Sequence, residues 1–301
     1  MARPPRVALV VLNWNDWEDT RRCLDSLADL SYRRRETIVV DNGSRDGSPD
    51  RVAEGFPAVK LVRLPANRGY GGGMNAGIQA ALAEGCDFVL CLNNDMTVEP
   101  GFLEPLVEAA GDEATVPYPA IYQGDHPDLL DSAGNRVSYT GLTGLVAHGA
   151  REIPPGLEVD YTELPLLPRA LLARIGGYKE EYFAFYEDVD LGARMRAAGW
   201  TLRLVPESRV YHRRGRTTRR VRGLVSYYSV RNRLLLMRDN GTRGRWLLTV
   251  LHVLLLTLPF LILRALANPR SGHSPRHLLL GLVDGLLPWR RGLVRAWPAP
   301  P

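Results

Sequence analysis

The stretch Phe88-Val89-Leu90-Cys91-Leu92-Asn93-Asn94-Asp95 decides the fold. It is a continuous apolar run, which predicts a buried strand, and it ends abruptly in two amides and a carboxylate. In open α/β sheets, ligands bind just beyond the carboxyl ends of the strands, so Asp95 stands where a ligand site is expected. A hard divalent cation prefers oxygen ligands, which makes Asp95 a candidate metal ligand. An ordinary polar turn uses the same residue types, and the stretch alone leaves both interpretations open.

Strands and helices alternate along the chain up to this stretch. Apolar, β-branched runs predict strands over residues 6–12, 37–40 and 59–64. Apolar residues at helical spacing predict a helix over 17–30, and a further helix is expected to end near Ala83. This alternation predicts the α/β class, with a mostly parallel central sheet flanked by helices.

Two glycine-containing stretches follow predicted strands. Asp41-Asn42-Gly43-Ser44-Arg45-Asp46-Gly47-Ser48 begins with an acid that could hydrogen-bond a base or a ribose, although the stretch also fits an ordinary turn before a helix. Asn67-Arg68-Gly69-Tyr70-Gly71-Gly72-Gly73 has four glycines in five positions, which would let the backbone approach a ligand closely, at the start of a helix. Its spacing fits neither the Walker loop nor the Rossmann fingerprint.

Three acidic residues, Glu187, Asp188 and Asp190, follow the aromatic cluster Tyr182-Phe183-Ala184-Phe185-Tyr186. A partly desolvated carboxylate has a raised pKa and can act as a general base. Acids in the first turn of a helix are also favoured by the helix dipole, which is the structural alternative for all three. Further along, His212 is a candidate metal ligand or phosphate contact, although an isolated histidine is more often neither.

The length and the charge distribution of the chain limit how it can be organised. Its 301 residues and 45% hydrophobic content allow one large domain with an appendage, or two domains. The beginning of the sequence lacks a signal-peptide pattern, and the three cysteines lack metal-type spacing, so we expect reduced thiols in a cytosolic protein. Residues 1–212 hold 21 Lys and Arg against 31 Asp and Glu, whereas residues 213–301 hold 17 Arg against 2 Asp. A basic tail on an acidic body predicts contact with an anionic surface.

The basic tail also carries two apolar segments. Trp246 to Leu263, at 18 residues, is at the lower limit for a membrane span, and His277 to Trp289 is too short to span. We expect both to lie in or dip into the inner leaflet, with arginines, including the six in residues 213–222, on lipid phosphates. Two alternatives for these segments stay open: a buried helical hairpin and a homo-oligomer interface. The arginines accompany no recognisable nucleic-acid-binding module, so no nucleic-acid partner is expected.

Together, these motifs resemble glycosyltransferase family 2, in its bacterial rhamnosyltransferase-like and galactofuranosyltransferase-like branch. The resemblance continues more loosely into residues 227–233. It implies the GT-A nucleotide-diphospho-sugar transferase fold for a catalytic domain over residues 1–212, with residues 213–301 as a helical, membrane-associated appendage. The ordered motifs that carry it are Val10-Val11-Leu12-Asn13-Trp14-Asn15, Val39-Val40 with the 41–48 stretch, residues 67–77, Leu92-Asn93-Asn94-Asp95, and Tyr186-Glu187-Asp188-Val189-Asp190-Leu191.

The resemblance implies roles for individual residues. Asn93-Asn94-Asp95 stands at the family's Asp-x-Asp position, so Asp95 would bind Mg²⁺ or Mn²⁺, with His212 as a further ligand. The chain has Asn93 where the family often has Asp. Asp188 matches the family's general base, and Glu187 would orient the acceptor or the base. The residues expected to bind the donor are Asn13, Asp41, Asn42, Asn67, Arg68, Gly69 and Asn94.

The expected activity is the inverting, metal-dependent transfer of a sugar, with rhamnose favoured, from a nucleotide-diphospho-sugar to a cell-wall or surface-glycan acceptor. A lipid-linked acceptor would place the enzyme at the cytoplasmic face of a bacterial cell membrane. A galactofuranosyl- or hexosaminyltransferase on the same scaffold stays open, as does a non-catalytic nucleotide-sugar-binding subunit. Residues 160–168 depart from the small residues that relatives tend to have there, which leaves the sugar and the acceptor undecided.

Overall fold

The computed structural model describes residues 3–111, 114–214, 223–268 and 273–287. Most of the predicted arginine-rich run, at 215–222, and the end of the second apolar segment, at 288–289, lie outside these residues. The strands are β1 (Val7–Asn13), β2 (Arg35–Asp41), β3 (Lys60–Arg63), β4 (Phe88–Asn93), β5 (Met96–Val98), β6 (Thr115–Gln123), β7 (Leu130–Ser132), β8 (Asn135–Val137), β9 (Thr143–Leu145), β10 (Leu166–Pro168) and β11 (Thr201–His212). The helices are α1 (Trp17–Ala28), α2 (Ser48–Gly55), α3 (Gly69–Ala83), α4 (Leu103–Ala109), α5 (Arg169–Ile175), α6 (Glu187–Ala197), α7 (Leu224–Asn240), α8 (Arg243–His252), α9 (Leu258–Ala267) and α10 (Pro275–Leu286).

A five-stranded sheet, in the order β10-β4-β1-β2-β3, forms the centre of the fold. β1 pairs in parallel with β2 and β4, and β2 pairs in parallel with β3, whereas β10 runs antiparallel to β4. The prediction of a mostly parallel α/β sheet is confirmed for this sheet. The 88–95 stretch forms β4 and the turn after it, beside β1, as its apolar run predicts.

The alternating side chains of β1 fill both faces of this sheet. Val7, Leu9 and Val11 belong to the core under α1 and α4, whereas Ala8 and Val10 belong to the core under α3. All five side chains are fully buried. A strand buried on both faces reads as a continuous apolar run, which is why the sequence pattern identifies β1 and β4.

The glycine-rich stretch begins a helix, as predicted, but its glycines lie within the helix rather than in a loop before it. α3 starts at Gly69 and includes Gly73 and Gly77. A Cβ atom at Gly73 would overlap Leu12, and one at Gly77 would overlap Val10, so glycine allows α3 to pack closely on β1. These two glycines therefore serve the approach of α3 to the sheet.

A second, mixed sheet, in the order β5-β11-β6-β7, was not predicted from the sequence. β11 is one strand over Thr201–His212, where the pattern predicts two separate pieces at 202–206 and 210–212. Its pairing with β6 is interrupted between Val205 and Arg209, and Pro206, which cannot donate a ladder hydrogen bond, lies in that interruption. The sheet brings β5, directly after Asp95, next to the end of β11.

The C-terminal residues that the structure describes are helical. α8, a π-helical segment over Val253–Thr257 and α9 form one 25-residue helix, Arg243–Ala267, which is long and apolar enough to cross a membrane by length and composition. α10 packs on α7, and α7 packs on residues 181–185 of the N-terminal part. The division of the chain at residue 212 stays a prediction.

Candidate active site

A cavity of about 620 Å³ lies beyond the carboxyl ends of β1 and β4. This is the edge of an open α/β sheet at which ligands bind, because the strand connections leave a crevice there. The structure brings eight of the eleven predicted site residues to its lining and leaves Asn13, Asp41 and Arg68 outside it. The eight are Asn42, Asn67, Gly69, Asn94, Asp95, Glu187, Asp188 and His212.

Asp95 and His212 meet because of strand register. β5 runs antiparallel to β11, with Met96 opposite His212, so the residue before β5 comes to the end of β11. Arg213 N donates to the backbone oxygen of Asp95 at 3.0 Å, which fixes this junction. The His212 Nε2 atom lies 3.1 Å from Asp95 Oδ1. The two residues predicted as metal ligands are therefore neighbours at the cavity wall.

Three charged residues surround His212: Asp131 and Glu163, which sequence reasoning missed, and Arg214, which was expected on lipid phosphates but pairs with these two acids. Asp131, in β7, has its Oδ2 3.3 Å from His212 Nδ1 and accepts from Arg214 Nε at 2.5 Å. Arg214 Nη2 donates to Glu163 Oε1 at 2.7 Å. Asp131 and Glu163 lie in a region where the sequence shows no motif, and only the pairing of β6 with β7 and β11 brings Asp131 to His212.

The charges around His212 set its protonation. Burial opposes the charged imidazolium, but the carboxylates of Asp131 and Asp95 outweigh burial and raise the pKa of His212 to about 9. Burial alone would raise the pKa of Asp131, but its contacts with His212 and Arg214 lower it. A carboxylate thus lies beside each ring nitrogen of His212.

Glu187 and Asp188 are two further acids in the cavity lining. Both stand in the first turn of α6, and Asp188 Oδ1 accepts from Val189 N at 2.8 Å. Burial, and then the charge of its neighbour Asp188, raise the pKa of Glu187, whose Oε2 atom is buried without a hydrogen-bond partner among the described residues. Burial, and then the charge of Glu163, raise the pKa of Asp188. Raised pKa values in a cleft are the property that a general base near neutral pH requires.

The chain reaches α6 through a strained turn. Phe183, Phe185 and Tyr186 have φ angles of 60°, 65° and 71°, a region that costs a non-glycine residue about 1–3 kcal/mol. Two contacts hold this turn: Tyr70 N donates to Phe183 O at 2.6 Å, and the Tyr186 hydroxyl donates to Gly141 O at 3.0 Å. The turn leads directly into Glu187 and Asp188, which line the cavity.

Asn232, in α7, also holds the turn. Its buried amide nitrogen lies 2.8 Å from the backbone oxygens of Tyr182, Ala184 and Phe185. Its side-chain oxygen accepts from Arg231 Nη1 at 2.7 Å. One buried side chain on the C-terminal part of the chain therefore orders the segment that carries Glu187 and Asp188.

Asn232→Leu is expected to lower the free energy of unfolding by about 2–6 kcal/mol, because two N–H groups no longer bond buried carbonyls, at about 1–3 kcal/mol for each lost bond. Urea unfolding followed by circular dichroism measures the change. Gln79→Leu, at an exposed position on α3, is the control and should leave the midpoint unchanged. Equal midpoints for both variants would show that the turn is held without Asn232.

The predicted donor side is organised around Asn42. Its amide nitrogen donates to Asn67 Oδ1 and to Gly69 O, both at 3.0 Å, and its oxygen accepts from Arg68 N at 2.9 Å. Gly69 has a φ of 75°, and a Cβ atom there would overlap Phe183, so the close approach of these segments needs glycine. Asn42 thus joins the end of β2 to the start of α3 at the cavity.

The three predicted donor residues outside the lining have partners within the protein. The Asn13 amide donates to Asp41 Oδ1 at 3.0 Å and to Ser48 Oγ at 2.7 Å. Asp41 also accepts from Ser44 N, and Arg68 pairs with Glu180 at 2.8 Å on the surface. Asn13 has the contacts of a residue that positions Asp41, and direct donor binding by these three residues stays a prediction.

The residues present fit a divalent cation held jointly with a ligand. Asp95 Oδ1 is buried and lies 3.1 Å from His212 Nε2, so a carboxylate oxygen and an imidazole nitrogen come together in the cavity lining. Those residues contain no group of three or more His, Cys, Asp or Glu that could hold a metal ion alone. Mg²⁺ is commonly bound by one or two protein ligands and by substrate phosphates, so Asp95 and His212 suit that arrangement.

Comparison with known proteins identifies the family. The family model described as glycosyl transferase family 2 matches residues 8–172, more than half of the chain. An N-acetylglucosaminyl-diphospho-decaprenol L-rhamnosyltransferase of Mycobacterium tuberculosis is 28% identical over 240 residues, which cover 70% of this chain and 77% of the relative. A dTDP-rhamnosyl transferase of Shigella flexneri is 22% identical over 269 residues, which cover 86% of this chain and 89% of the relative.

Solved structures support the fold. GalNAc-T7 with UDP, GalNAc and Mn²⁺ superposes with a TM-score of 0.59 at 15% identity, covering 83% of this chain and 57% of that one. A mannosyltransferase of Pyrobaculum calidifontis in complex with GDP-Man and Mn²⁺ superposes with a TM-score of 0.55 at 17% identity, covering 94% of this chain and 88% of that one. The fold is therefore GT-A-like, and the chain belongs to glycosyl transferase family 2 as a glycosyltransferase enzyme.

Proposed function

We propose that this enzyme transfers rhamnose from a nucleotide-diphospho-sugar to a hydroxyl of a lipid-linked cell-wall or surface-glycan acceptor, with inversion at the anomeric carbon. The observation that carries the proposal is the convergence of Asp188 and the Asp95–His212 pair on one cavity. A candidate base and a candidate cation site that line the same cavity suit an attacking hydroxyl and a departing diphosphate. The names of the two rhamnosyltransferase relatives favour rhamnose.

Asp188 is the proposed general base. It lies in the cavity lining, its pKa is raised, and Val189 N holds its Oδ1 atom at the start of α6. It would accept the proton of the acceptor hydroxyl as that oxygen attacks the anomeric carbon, and the bond to the diphosphate would break on the far side. Glu187, beside it, would orient the acceptor or the base.

Asp95 and His212 are the proposed ligands of Mg²⁺ or Mn²⁺. When bound, the cation would neutralise charge on the donor diphosphate. Asp131 would hold His212 through Nδ1 and leave Nε2 toward the cation, the arrangement by which an outer carboxylate orients a ligating histidine. Asn42, Asn67, Gly69 and Asn94 would contact the donor at the same edge of the sheet.

The long C-terminal helix supports a site of action at the cytoplasmic face of the membrane. Its polar residues Thr249, His252 and Thr257 lie on the protein side, and Thr257 accepts from buried Arg233. Most of its leucines and its phenylalanine are exposed, with Leu255, for example, 69% exposed, whereas Leu258 is buried. A helix that faces water carries its polar residues on the outer face, whereas this helix carries apolar residues there. The outer face is therefore suited to contact with lipid.

A thermal-shift screen tests the proposed activity. A ligand that binds only the folded state raises Tm by mass action. We expect dTDP-rhamnose with Mg²⁺ or Mn²⁺ to raise Tm more than dTDP-rhamnose alone and more than UDP- or GDP-linked sugars. A larger, metal-dependent shift with UDP-galactofuranose or UDP-N-acetylglucosamine would favour the other transferases, and no shift with any nucleotide would favour a subunit without turnover.

The pH dependence of transfer should report the environment of Asp188. A base works deprotonated, so kcat/KM falls as the pH drops through its pKa, which burial and Glu163 raise above the ordinary Asp value of about 3.9. Glu163→Gln removes a negative charge and frees the positive Arg214, so both effects should move the acid limb to lower pH, by up to about one pH unit.

Kinetics across a pH series measure that limb. Glu158→Gln is the matched control, because the Glu158 side chain is 89% exposed and pairs with Arg136 at the surface. Its limb should coincide with that of the unchanged enzyme. A limb that stays in place in Glu163→Gln, or moves to higher pH, contradicts the assignment of Asp188.

A further inference from the structure

The hairpin of β8 and β9, with its connecting residues 138–142, exposes apolar side chains beside the cavity. Tyr139, Leu142 and Leu145 are 63%, 44% and 37% exposed. Surface turns normally carry polar residues, so three large apolar side chains on one hairpin need an explanation. Leu145, with Thr143, also lines the cavity that contains Asp188. One end of this apolar hairpin is therefore the rim of the active site.

Apolar exposure is confined to one group of elements. Among the residues that the structure describes, every exposed large apolar side chain belongs to this hairpin, to the helix Arg243–Ala267 or to α10. The body of the enzyme, including both sheets and α1 to α6, has none. Such segregation is typical of a surface that is not covered by water in the working state.

The hairpin is fastened to the apolar helix. Arg245 Nε donates to Tyr139 O at 2.6 Å, and the guanidinium lies 5.1 Å from the centre of the Tyr139 ring. Buried Arg233 donates to Thr140 O at 2.7 Å and to Thr257 Oγ1 of the helix at 3.0 Å. The hairpin and the helix are therefore held together, so they present their apolar side chains as parts of one unit.

The charges at this surface suit an anionic bilayer. Residues 138–150 contain no Asp or Glu, and Arg243 and Arg245 stand at the end of the helix next to the hairpin. Arginines beside an apolar face are attracted to anionic lipid headgroups, which a second copy of the same basic surface would not supply. Charge complementarity thus favours lipid as the occupant.

We propose that the 138–145 hairpin and the outer face of the Arg243–Ala267 helix form one bilayer-docking surface, which brings the rim of the catalytic cavity to the headgroups of an anionic membrane. This inference rests on the proposed action at the membrane and deepens it. The helix provides the anchor, and the hairpin fixes the enzyme so that the cavity opens at the depth where an acceptor with an apolar tail carries its polar end. Leu145 then borders both the lipid and the cavity.

Fluorescence of the full-length chain tests the docking surface. An environment-sensitive fluorophore is attached to Leu142→Cys, to Leu255→Cys or to Glu54→Cys; the native Cys23, Cys86 and Cys91 are buried, and Glu54 lies on α2, which packs on α1 and β3. Vesicles of phosphatidylglycerol and phosphatidylethanolamine are then added. We expect a blue shift at positions 142 and 255 and none at position 54.

The other outcomes separate this inference from the proposed function. A shift at 255 without one at 142 would overturn the hairpin's role and leave membrane binding by the helix intact. No shift at either position would reject both docking and membrane action, whereas the donor screen would still report on transferase activity. A shift at 54 as well, or shifts that appear with protein concentration in the absence of vesicles, would point to adsorption or self-association and overturn the inference.

A second variant measures the contribution of the hairpin. Tyr139→Ser combined with Leu142→Ser should weaken partitioning onto the same vesicles about tenfold, because two apolar side chains no longer leave water. Glu54→Ser is the control and should partition like the unchanged enzyme. Unchanged partitioning of the double variant, with its Tm preserved, would contradict the proposal.

Discussion

Asp188→Asn is expected to lower kcat by about 10²- to 10⁴-fold, the range that a positioned general base contributes. The amide keeps the size of the carboxylate but cannot accept the proton of the acceptor hydroxyl. Donor affinity should stay close to that of the unchanged enzyme, because the proposed cation and donor sites are formed by other residues, among them Asp95, His212 and Asn42. Transfer from dTDP-rhamnose, with donor affinity measured by calorimetry, tests both expectations.

Stability separates this result from misfolding. The contribution to stability of a carboxyl group whose pKa is raised in the folded state is fully present below its unfolded pKa and is lost as the pH rises through the folded pKa. Asp188→Asn removes this loss, so its Tm at pH 8 should equal or exceed that of the unchanged enzyme. A gain in stability with a loss of turnover is the usual relation at an active site.

Glu187→Gln tests which of the two neighbouring acids, Glu187 or Asp188, is the general base. If Glu187 only orients the acceptor or the base, its amide variant should retain more turnover than Asp188→Asn. The reverse order would transfer the role of base to Glu187. Near-normal turnover in Asp188→Asn would reject Asp188 outright.

Local pattern predicts the central sheet because both of its faces are buried. β1 and β4 carry uninterrupted apolar runs, and polar residues mark the edge at which they end. The cavity lies at that edge, so the sequence could predict that Asn42 and Asp95 belong to the site. The ordered motifs added Glu187 and Asp188, which pattern alone cannot distinguish from acids that favour a helix dipole.

The rest of the site depends on long-range pairing, which local pattern does not contain. Asp131 comes to His212 only through the register of β7, β6 and β11, and nothing in its neighbourhood marks it as functional. Asn232 lies between two arginines in α7, 50 residues beyond Tyr182, the first residue of the turn that it holds. A polar residue beside charged residues is a weak indication of a buried role until its partners are known.

Asp95→Asn is expected to abolish the metal dependence of donor binding. The amide presents a neutral oxygen in place of a charged one, and loss of a ligand should exceed the about 10- to 100-fold that outer residues contribute to metal affinity. Calorimetric titration of dTDP into the variant, with and without Mn²⁺, measures the effect without turnover. Asp125→Asn is the control, because Asp125 is 75% exposed and pairs with Arg213.

Asp131→Asn completes the test, because it changes the partner of His212 and leaves Asp95 intact. Asn can still accept a hydrogen bond from Nδ1, so the imidazole should keep its place, but the ring loses the charge that makes Nε2 a better ligand. Metal affinity should therefore fall less than in Asp95→Asn, by about 10- to 100-fold, with the metal dependence retained. If Asp131→Asn removed the metal dependence while Asp95→Asn kept it, the cation would belong with Asp131 and Glu163 rather than with the end of β4.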